Sequence, residues 1–302
     1  MFLTGFADEA GRDLDIQIKA TKELGWKNIE TRFIGDKNLG SLTDEEFETV
    51  CAKLDESGIS FNCYGSAVAN WACHPRSEED FQKSKTELLN AIPRMHKLGI
   101  KIIRGMSFKY AYDEGEPDNP DLEKVIFAKV NELVKICEDA GIIYGHENCM
   151  NYGGLSYLHT LKLIDNVKSP NFKLIYDTGN PCFNYSRIGS KPYSLQSSWE
   201  FYYNVREFIT YVPIKDATAV PLPDSVTRPE CKFCWAGEGT GDVRAIVKDL
   251  KKNNYEGGFS IEPHIATVYH EAEPETDISE IKYKSYIEYG RRFEQLLKDC
   301  GY

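Results

Sequence analysis

AGIIYGHEN, at Ala140–Asn148, closes a helical stretch on a small residue, turns at a glycine, and runs through a short apolar strand into polar and charged residues. The same phrase recurs along the chain as LGWKNIETR (Leu24–Arg32), SGISFNCYG (Ser57–Gly65) and LGIKIIRGM (Leu98–Met106). Looser copies read NFKLIYDTG (Asn171–Gly179), FITYVPIKD (Phe208–Asp216) and YEGGFSIEP (Tyr255–Pro263), and FLTGF (Phe2–Phe6) opens the series. Eight strands, each followed by helical sequence, predict an α/β protein built as a single (β/α)8 TIM barrel, with the active site at the C-terminal ends of the strands.

Apolar periodicity predicts helices at Asp13–Leu24, Thr43–Glu56, Glu78–Leu98, Asn119–Asp139, Leu155–Val167, Ser197–Glu207, Asp242–Lys252 and Ile278–Lys298. Gly25, Gly58, Gly99 and Gly141 stand where left-handed caps would end helices, and Pro93 predicts a kink. No Gly/Ser/Pro-rich linker divides the chain, so residues 1–302 read as one domain. Long loops are expected at Ser66–Arg76, Ser107–Pro120, Thr178–Gln196 and Ala217–Gly241, all on the active face.

Composition narrows the function. Net charge is −11, from 36 Lys+Arg against 47 Asp+Glu, which argues against nucleic acid or an acidic membrane surface as partner. No apolar run approaches the ~20 residues of a membrane span. The N-terminus turns acidic at once, and nine scattered cysteines suit a reducing compartment, so a cytoplasmic enzyme is expected. Composition leaves a homo-oligomer open.

Strand alternation sorts side chains into those facing the helices and those facing the barrel. It turns Glu147, Asp177 and Glu262 inward at three strand ends, with Lys215, Arg104, Arg32, Glu30, Asn62, Tyr64 and His264. Tyr211 and Pro213 share the inward face of Lys215, and His146 should face the helix layer. Three acids in one mouth would repel and raise one another's pKa unless a cation compensated them. Oxygen-rich ligation suits Mg²⁺ or Mn²⁺, and with a nitrogen ligand also Zn²⁺ or Co²⁺. The competing reading pairs each acid with Arg104, Arg32 or Lys215.

Loop aromatics Trp71, Tyr110, Tyr112, Tyr152, Phe183, Tyr185 and Trp235 offer apolar faces to a sugar, or pack the loops down. GEGTGD (Gly237–Asp242) lacks the Lys-Ser/Thr of a P-loop; Asp242 would cap the next helix and Glu238 could reach the mouth. Cys231 and Cys234 form a CxxC without two further zinc ligands nearby. His74 and His270 read as surface residues.

FADEAG (Phe6–Gly11), IETR (Ile29–Arg32), HENC (His146–Cys149), YDTGNP (Tyr176–Pro181), IKDA (Ile214–Ala217), GEGTGD and FSIEPH (Phe259–His264), in this order and spacing, resemble the sugar phosphate isomerase/epimerase family of xylose isomerase-like TIM barrels. The resemblance implies one divalent metal (Mn, Mg, Zn or Co) held by Glu147, Asp177, Glu262 and a strand-7 histidine, and a small carbohydrate substrate. It also implies Glu147 and Glu262 as acid and base with Lys215 assisting. Glu30, Arg32, Trp71, Arg104, Asn180, Asp216, Glu238 and His264 would contact substrate. The departure is Pro213, which stands where the family's H-x-K-D motif has histidine. Proline should make the strand bulge or end there; a water, a reoriented Asp216 or His264 could fill the gap.

Metal-bound carbonyl and hydroxyl groups would favour an enediolate, leading to isomerisation, epimerisation or dehydration. The expected activity is thus a sugar isomerase or epimerase, with a keto-sugar or polyol dehydratase, or a non-catalytic sugar-binding barrel, as alternatives. An apurinic-site endonuclease would need a histidine-rich centre and a basic groove, against six histidines and net −11.

Overall fold

The computed structural model describes residues 1–110, 118–222, 229–266 and 277–302; Tyr112 and His270 lie outside them. Eight parallel strands form the barrel: β1 (Phe2–Gly5), β2 (Asn28–Thr31), β3 (Ser60–Tyr64), β4 (Ile102–Gly105), β5 (Ile143–Glu147), β6 (Phe172–Ile175), β7 (Ile209–Ile214) and β10 (Gly258–Ile261). They pair in the order β1-β10-β7-β6-β5-β4-β3-β2. β1 and β2 lie side by side, so the barrel is nearly closed. The helices are α1 (Leu14–Glu23), α2 (Asp44–Ser57), α3 (Glu78–Leu98), α4 (Pro120–Asp139), α5 (Tyr157–Asn166), α6 (Ser198–Val205), α7 (Val243–Lys252) and α8 (Ser279–Asp299). The predicted single (β/α)8 barrel is the observed architecture.

Local chemistry sets the helix ends. Thr43 and Glu46 close a capping box at the start of α2, and Asp13, Ser77, Asn119, Ser156 and Ser197 each accept a backbone N–H of the helix they precede. Gly58 and Gly99 take the left-handed conformation after α2 and α3, at φ 70° and 72°. α3 runs unbroken through Pro93. Asp242 does not cap α7: it sits in the cap position with φ 51°, and its carboxylate accepts from Trp199 N at 3.2 Å instead.

Most apolar burial lies between strands and helices, where Tyr144, Phe259, Leu88, Ile126 and Phe293 are fully enclosed. The barrel lumen is narrower. One alternation below the strand-end acids it holds Cys63, Ile175 and Tyr211, and Gly145 makes room for Ile175, whose Cδ1 would lie 2.6 Å from a Cβ added there. A polar thread crosses the lumen: Thr4 Oγ1 donates to Asn62 Oδ1 (2.7 Å), and Asn62 Nδ2 donates to Tyr211 O–H (3.0 Å).

Three expectations about the strands change. The β2–β3 register slips between Ile29 and Glu30, which pair with Phe61 and Cys63, leaving Asn62 as an extra residue. That bulge sends Asn62 and Cys63 both inward and turns Tyr64 outward, where its hydroxyl donates to Glu87 on α3 at 2.7 Å. Pro213 does not break β7: its register with β10 is continuous from Tyr211 to Ile214, its carbonyl accepts from Thr178 N at 3.2 Å, and the register shift against β6 falls earlier, at Thr210. Thr178 Oγ1 further accepts from Lys215 N (3.1 Å) and donates to Lys215 O (2.7 Å), clamping the strand just past the proline. The expected loop Ala217–Gly241 contains an antiparallel pair, β8 (Asp216–Val220) and β9 (Glu230–Cys234).

Gly105 ends β4 against the Tyr144 ring, which an added Cβ would overlap, whereas Gly58 has open space around it. Gly105→Ala should lower unfolding stability by roughly 3 kcal/mol, at the upper end of overpacking costs. Gly58→Ala should cost about 1 kcal/mol for its left-handed backbone alone. Urea denaturation of both variants checks this, and equal losses would contradict the packing described.

Candidate active site

Glu147 is the last residue of β5, Asp177 lies two past β6, and Glu262 one past β10. One carboxylate oxygen from each lies within 4.8 Å of the others, all buried. Lys215, between β7 and β8, directs Nζ to Asp177 Oδ2 (3.1 Å), Glu262 Oε2 (2.6 Å) and Asn180 Oδ1 (3.1 Å). Arg104 Nη1 is 3.4 Å from Glu147 Oε2, and Asn180 Nδ2 donates to Glu147 Oε1 at 3.2 Å. Asp177 Oδ1 accepts from the backbone of Gly179 and Asn180, each at 2.8 Å, where a short 3-10 turn begins.

A second layer surrounds Arg32. It donates Nη1 to Glu262 Oε1 (2.7 Å) and Nε to Asp8 Oδ2 (2.9 Å), and Nη2 lies 3.5 Å from Glu9 Oε1. His264 has φ 53°, a strained backbone for a non-glycine residue. Glu9 stabilises it there, accepting from His264 N (2.9 Å) and pairing with Nδ1 (2.9 Å). Phe233 of β9 stands edge-on to the imidazole at 5.0 Å.

Six buried carboxylates (Asp8, Glu9, Glu30, Glu147, Asp177, Glu262) thus share three fixed cations, Arg32, Arg104 and Lys215. The imbalance is carried as protonation. Burial pushes Glu9 up to about 8, Glu30 up to about 7 and Asp177 up to about 7, and it raises Glu147 as well. Glu262 goes the other way: burial would raise it, but Lys215 and Arg32 outweigh burial and hold it well below its ordinary range. Burial, then Lys215, keeps His264 neutral, well below the usual imidazole value.

Glu147 Oε2, Asp177 Oδ2 and Glu262 Oε2 accept no hydrogen bond of good geometry, although Arg104 or Lys215 lies close to each. One oxygen from each of three buried carboxylates, within 4.8 Å of one another, fits a hard divalent cation. With proline at 213 the donor set is all oxygen, which suits Mg²⁺ or Mn²⁺ better than Zn²⁺. Asp216 supplies none of it. Its two oxygens accept the N–H groups of Gly237 (2.8 Å), Gly239 (3.0 Å), Gly241 (2.8 Å) and Ala217 (2.9 Å), so GEGTGD is wound around this one carboxylate.

The mouth above the acids is a cavity of about 300 Å³, lined by Arg32, Trp71, Arg104, Glu147, Asn180, Phe183, Lys215, Glu262 and His264 among others. Asp177 stands fully buried behind Lys215. Three anticipated residues are elsewhere. Glu30 lies in the lumen, accepting from Ser260 Oγ; Asp216 lies under its glycine loop; Glu238 is exposed and pairs with Arg292 at 3.3 Å. Tyr152 packs on Phe127 and His159, and Trp235 on Tyr289, away from the mouth. His146 faces Ser107 (2.9 Å) and Phe172, on the helix side as expected. Cys231 and Cys234 lie three apart on one strand, hence on opposite faces. Asp8 and Glu9 were not anticipated because they sit on a 3-10 turn (Ala7–Glu9), where strand alternation no longer applies, although FADEAG contains both.

The chain matches the model of the xylose isomerase-like TIM barrel family over residues 18–282, and it belongs to that family. Among solved structures, it is similar to a xylose isomerase-like TIM barrel protein from Mycobacterium smegmatis in complex with magnesium, at 16% identity and TM-score 0.69, covering 99% of this chain and 97% of that one. It is also similar to a D-tagatose 3-epimerase-like protein (15%, TM-score 0.70, 99% and 98% covered). A third is a probable 3-DHS dehydratase of petrobactin synthesis from Bacillus anthracis (12%, TM-score 0.65, 94% and 97% covered). These likenesses show the shared fold. No curated protein matches by sequence. Among the described residues, no helix is long and apolar enough to cross a membrane.

The raised Glu30 carboxyl makes stability depend on pH. Between its ordinary value of 4.5 and about 7, the folded chain keeps a proton that the unfolded chain has released. Stability should therefore fall as pH rises through that window, by up to about 1.4 kcal/mol per pH unit for this group. Glu30→Gln should flatten the fall, measured as the urea midpoint at pH 5 and pH 7. An unchanged slope would contradict the assignment.

Proposed function

We propose that the protein is a divalent metal-dependent isomerase or epimerase of a small carbohydrate, with the carboxylates of Glu147, Asp177 and Glu262 holding the metal. The observation that carries the reading is that one oxygen from each of three buried carboxylates, at the ends of β5, β6 and β10, lies within 4.8 Å of the others. It is supported by membership of the xylose isomerase-like family, and by likeness to proteins described as an L-ribulose 3-epimerase and a D-tagatose 3-epimerase-like protein.

When bound, the metal would act as a Lewis acid on a carbonyl and the adjacent hydroxyl of the sugar, lowering the cost of removing the proton between them. The chain's own groups do the rest. Glu147 and Glu262 come from separate strands, β5 and β10, and in this reading one takes a proton from carbon and the other returns one. Lys215 and Arg104 offset the charge that develops on substrate oxygen. Arg32, Asn180 and His264 line the cavity where hydroxyls would be bound, and Trp71 and Phe183 offer rings to the C–H face of the sugar. Return of the proton to the neighbouring carbon isomerises, return to the opposite face epimerises, and loss of a β-hydroxyl dehydrates. The dehydratase neighbour keeps that third outcome in the assay.

The test is exchange with solvent. A panel of ketoses incubated with the Mn²⁺-loaded protein in D₂O should gain deuterium at the carbon beside the carbonyl, read by NMR together with the product. Glu147→Gln and Glu262→Gln should each slow exchange by about 10²–10⁴-fold. Sugar binding without any exchange would contradict catalysis.

A further inference from the structure

Lys215 holds two of the oxygens that a metal would need. Its buried ammonium lies 2.6 Å from Glu262 Oε2 and 3.1 Å from Asp177 Oδ2. An ammonium has three donors. The third goes to Asn180 Oδ1 at 3.1 Å, the one neutral hydrogen-bond acceptor of Lys215 Nζ among the described residues. A cation entering between the acids takes over the carboxylate oxygens, and a buried charge left without a partner is costly.

Arg104, the cation beside the third acid, is better provided. It lies 3.4 Å from Glu147 Oε2 but also donates to the carbonyls of Gly65 and Ser66 at 3.3 Å, so it keeps neutral partners whatever happens at the carboxylate. Lys215 has the Asn180 carboxamide for that purpose, and the carboxamide is fixed. Asn180 is buried at the start of the 3-10 turn Asn180–Phe183; its N–H donates to Asp177 Oδ1 (2.8 Å), and its carbonyl accepts from Asn184 Nδ2 (2.7 Å). Nδ2 donates to Glu147 Oε1 at 3.2 Å, which leaves Oδ1 for the ammonium. The reversed amide would set a donor against the ammonium and an acceptor against the carboxylate.

We propose that Asn180 is a positioning residue for metal entry: its Oδ1 retains the Lys215 ammonium when a divalent cation takes Asp177 and Glu262, so the lysine yields those oxygens without being stranded. The inference rests on the reading of Glu147, Asp177 and Glu262 as a metal site. Released from both carboxylates but still held by Asn180, the ammonium has two donors to offer a substrate oxygen in the cavity that both residues line.

A double-mutant cycle on Mn²⁺ affinity tests this without substrate or turnover. Mn²⁺ alone would be titrated into wild type, Asn180→Leu, Lys215→Met and the double variant, with the free ion read by electron paramagnetic resonance and folding checked by circular dichroism. Leucine keeps the branched shape of asparagine and removes its hydrogen-bonding groups. Lys215→Met should tighten Mn²⁺ binding by about tenfold or more, because it removes the competing charge. Asn180→Leu should weaken binding, and the loss should be larger by about fivefold or more with Lys215 present than in the Lys215→Met background. Equal losses in both backgrounds would mean that Asn180 acts through Glu147 alone and would overturn the proposal, as would Lys215→Met binding no tighter than wild type. Wild-type protein that binds no Mn²⁺ removes the metal reading and this inference together, whereas binding without coupling removes this inference alone. If Lys215→Met does not fold, Lys215→Gln, which keeps a donor for the carboxylates, takes its place in the cycle.

Discussion

Buried carboxylates of like charge cannot be gathered at one point without positive charge among them, and this constraint organises the mouth of the barrel. Lys215 reaches Asp177 and Glu262, Arg104 reaches Glu147, and Arg32 spans Asp8, Glu9 and Glu262. Even so the carboxylates outnumber the cations, and burial forces part of the surplus into protonated form, most plainly at Glu9 and Glu30. The proposed cation would take the place of the protons that the crowded carboxylates otherwise hold. Lys215 lies against the oxygens of Asp177 and Glu262, so it would compete with the proposed cation and limit how tightly metal is held.

The scaffold around the centre is arranged to keep it rigid. Asp177 is fixed by backbone N–H groups and by Asn148, which accepts from Asp177 N at 2.7 Å and donates to its carbonyl at 3.0 Å. Asp216 anchors the glycine loop after β9 through three of its N–H donors, and Gly239 and Gly241 are required because a Cβ at either would collide with that carboxylate. The β8–β9 pair brings Phe233 over His264 and against Phe183, at 5.6 Å between ring centres, walling one side of the cavity. The loop elements thus shape the mouth while the strand ends carry the charge.

Much of this was legible in the sequence because the two periodicities behind it are geometric. Strand alternation turned Glu147, Asp177, Lys215 and Glu262 inward, and glycine stops with Ser, Thr, Asp or Asn starts bounded the helices closely. It failed where the period itself is broken. The Asn62 bulge reversed Tyr64, and the 3-10 turn after β1 concealed Asp8 and Glu9. Asp216, one residue past an inward lysine, was drawn away by a cage of N–H groups supplied from more than twenty residues later, which no local pattern announces. Pro213 was expected to break β7 but does not, because neighbouring residues keep the register and Thr178 secures the chain beyond it.

The central claim is that Glu147, Asp177 and Glu262 act together as a cation site, and a Mn²⁺ titration followed by electron paramagnetic resonance tests it most directly. The account predicts that wild-type protein removes about one equivalent of the free-ion signal, and that Glu147→Gln, Asp177→Asn and Glu262→Gln each weaken binding more than about a hundredfold, beyond the roughly 10–100-fold that loss of an outer partner costs. Free Mn²⁺ undiminished by the wild-type protein, or binding by all three variants as tight as that of the wild type, would contradict it.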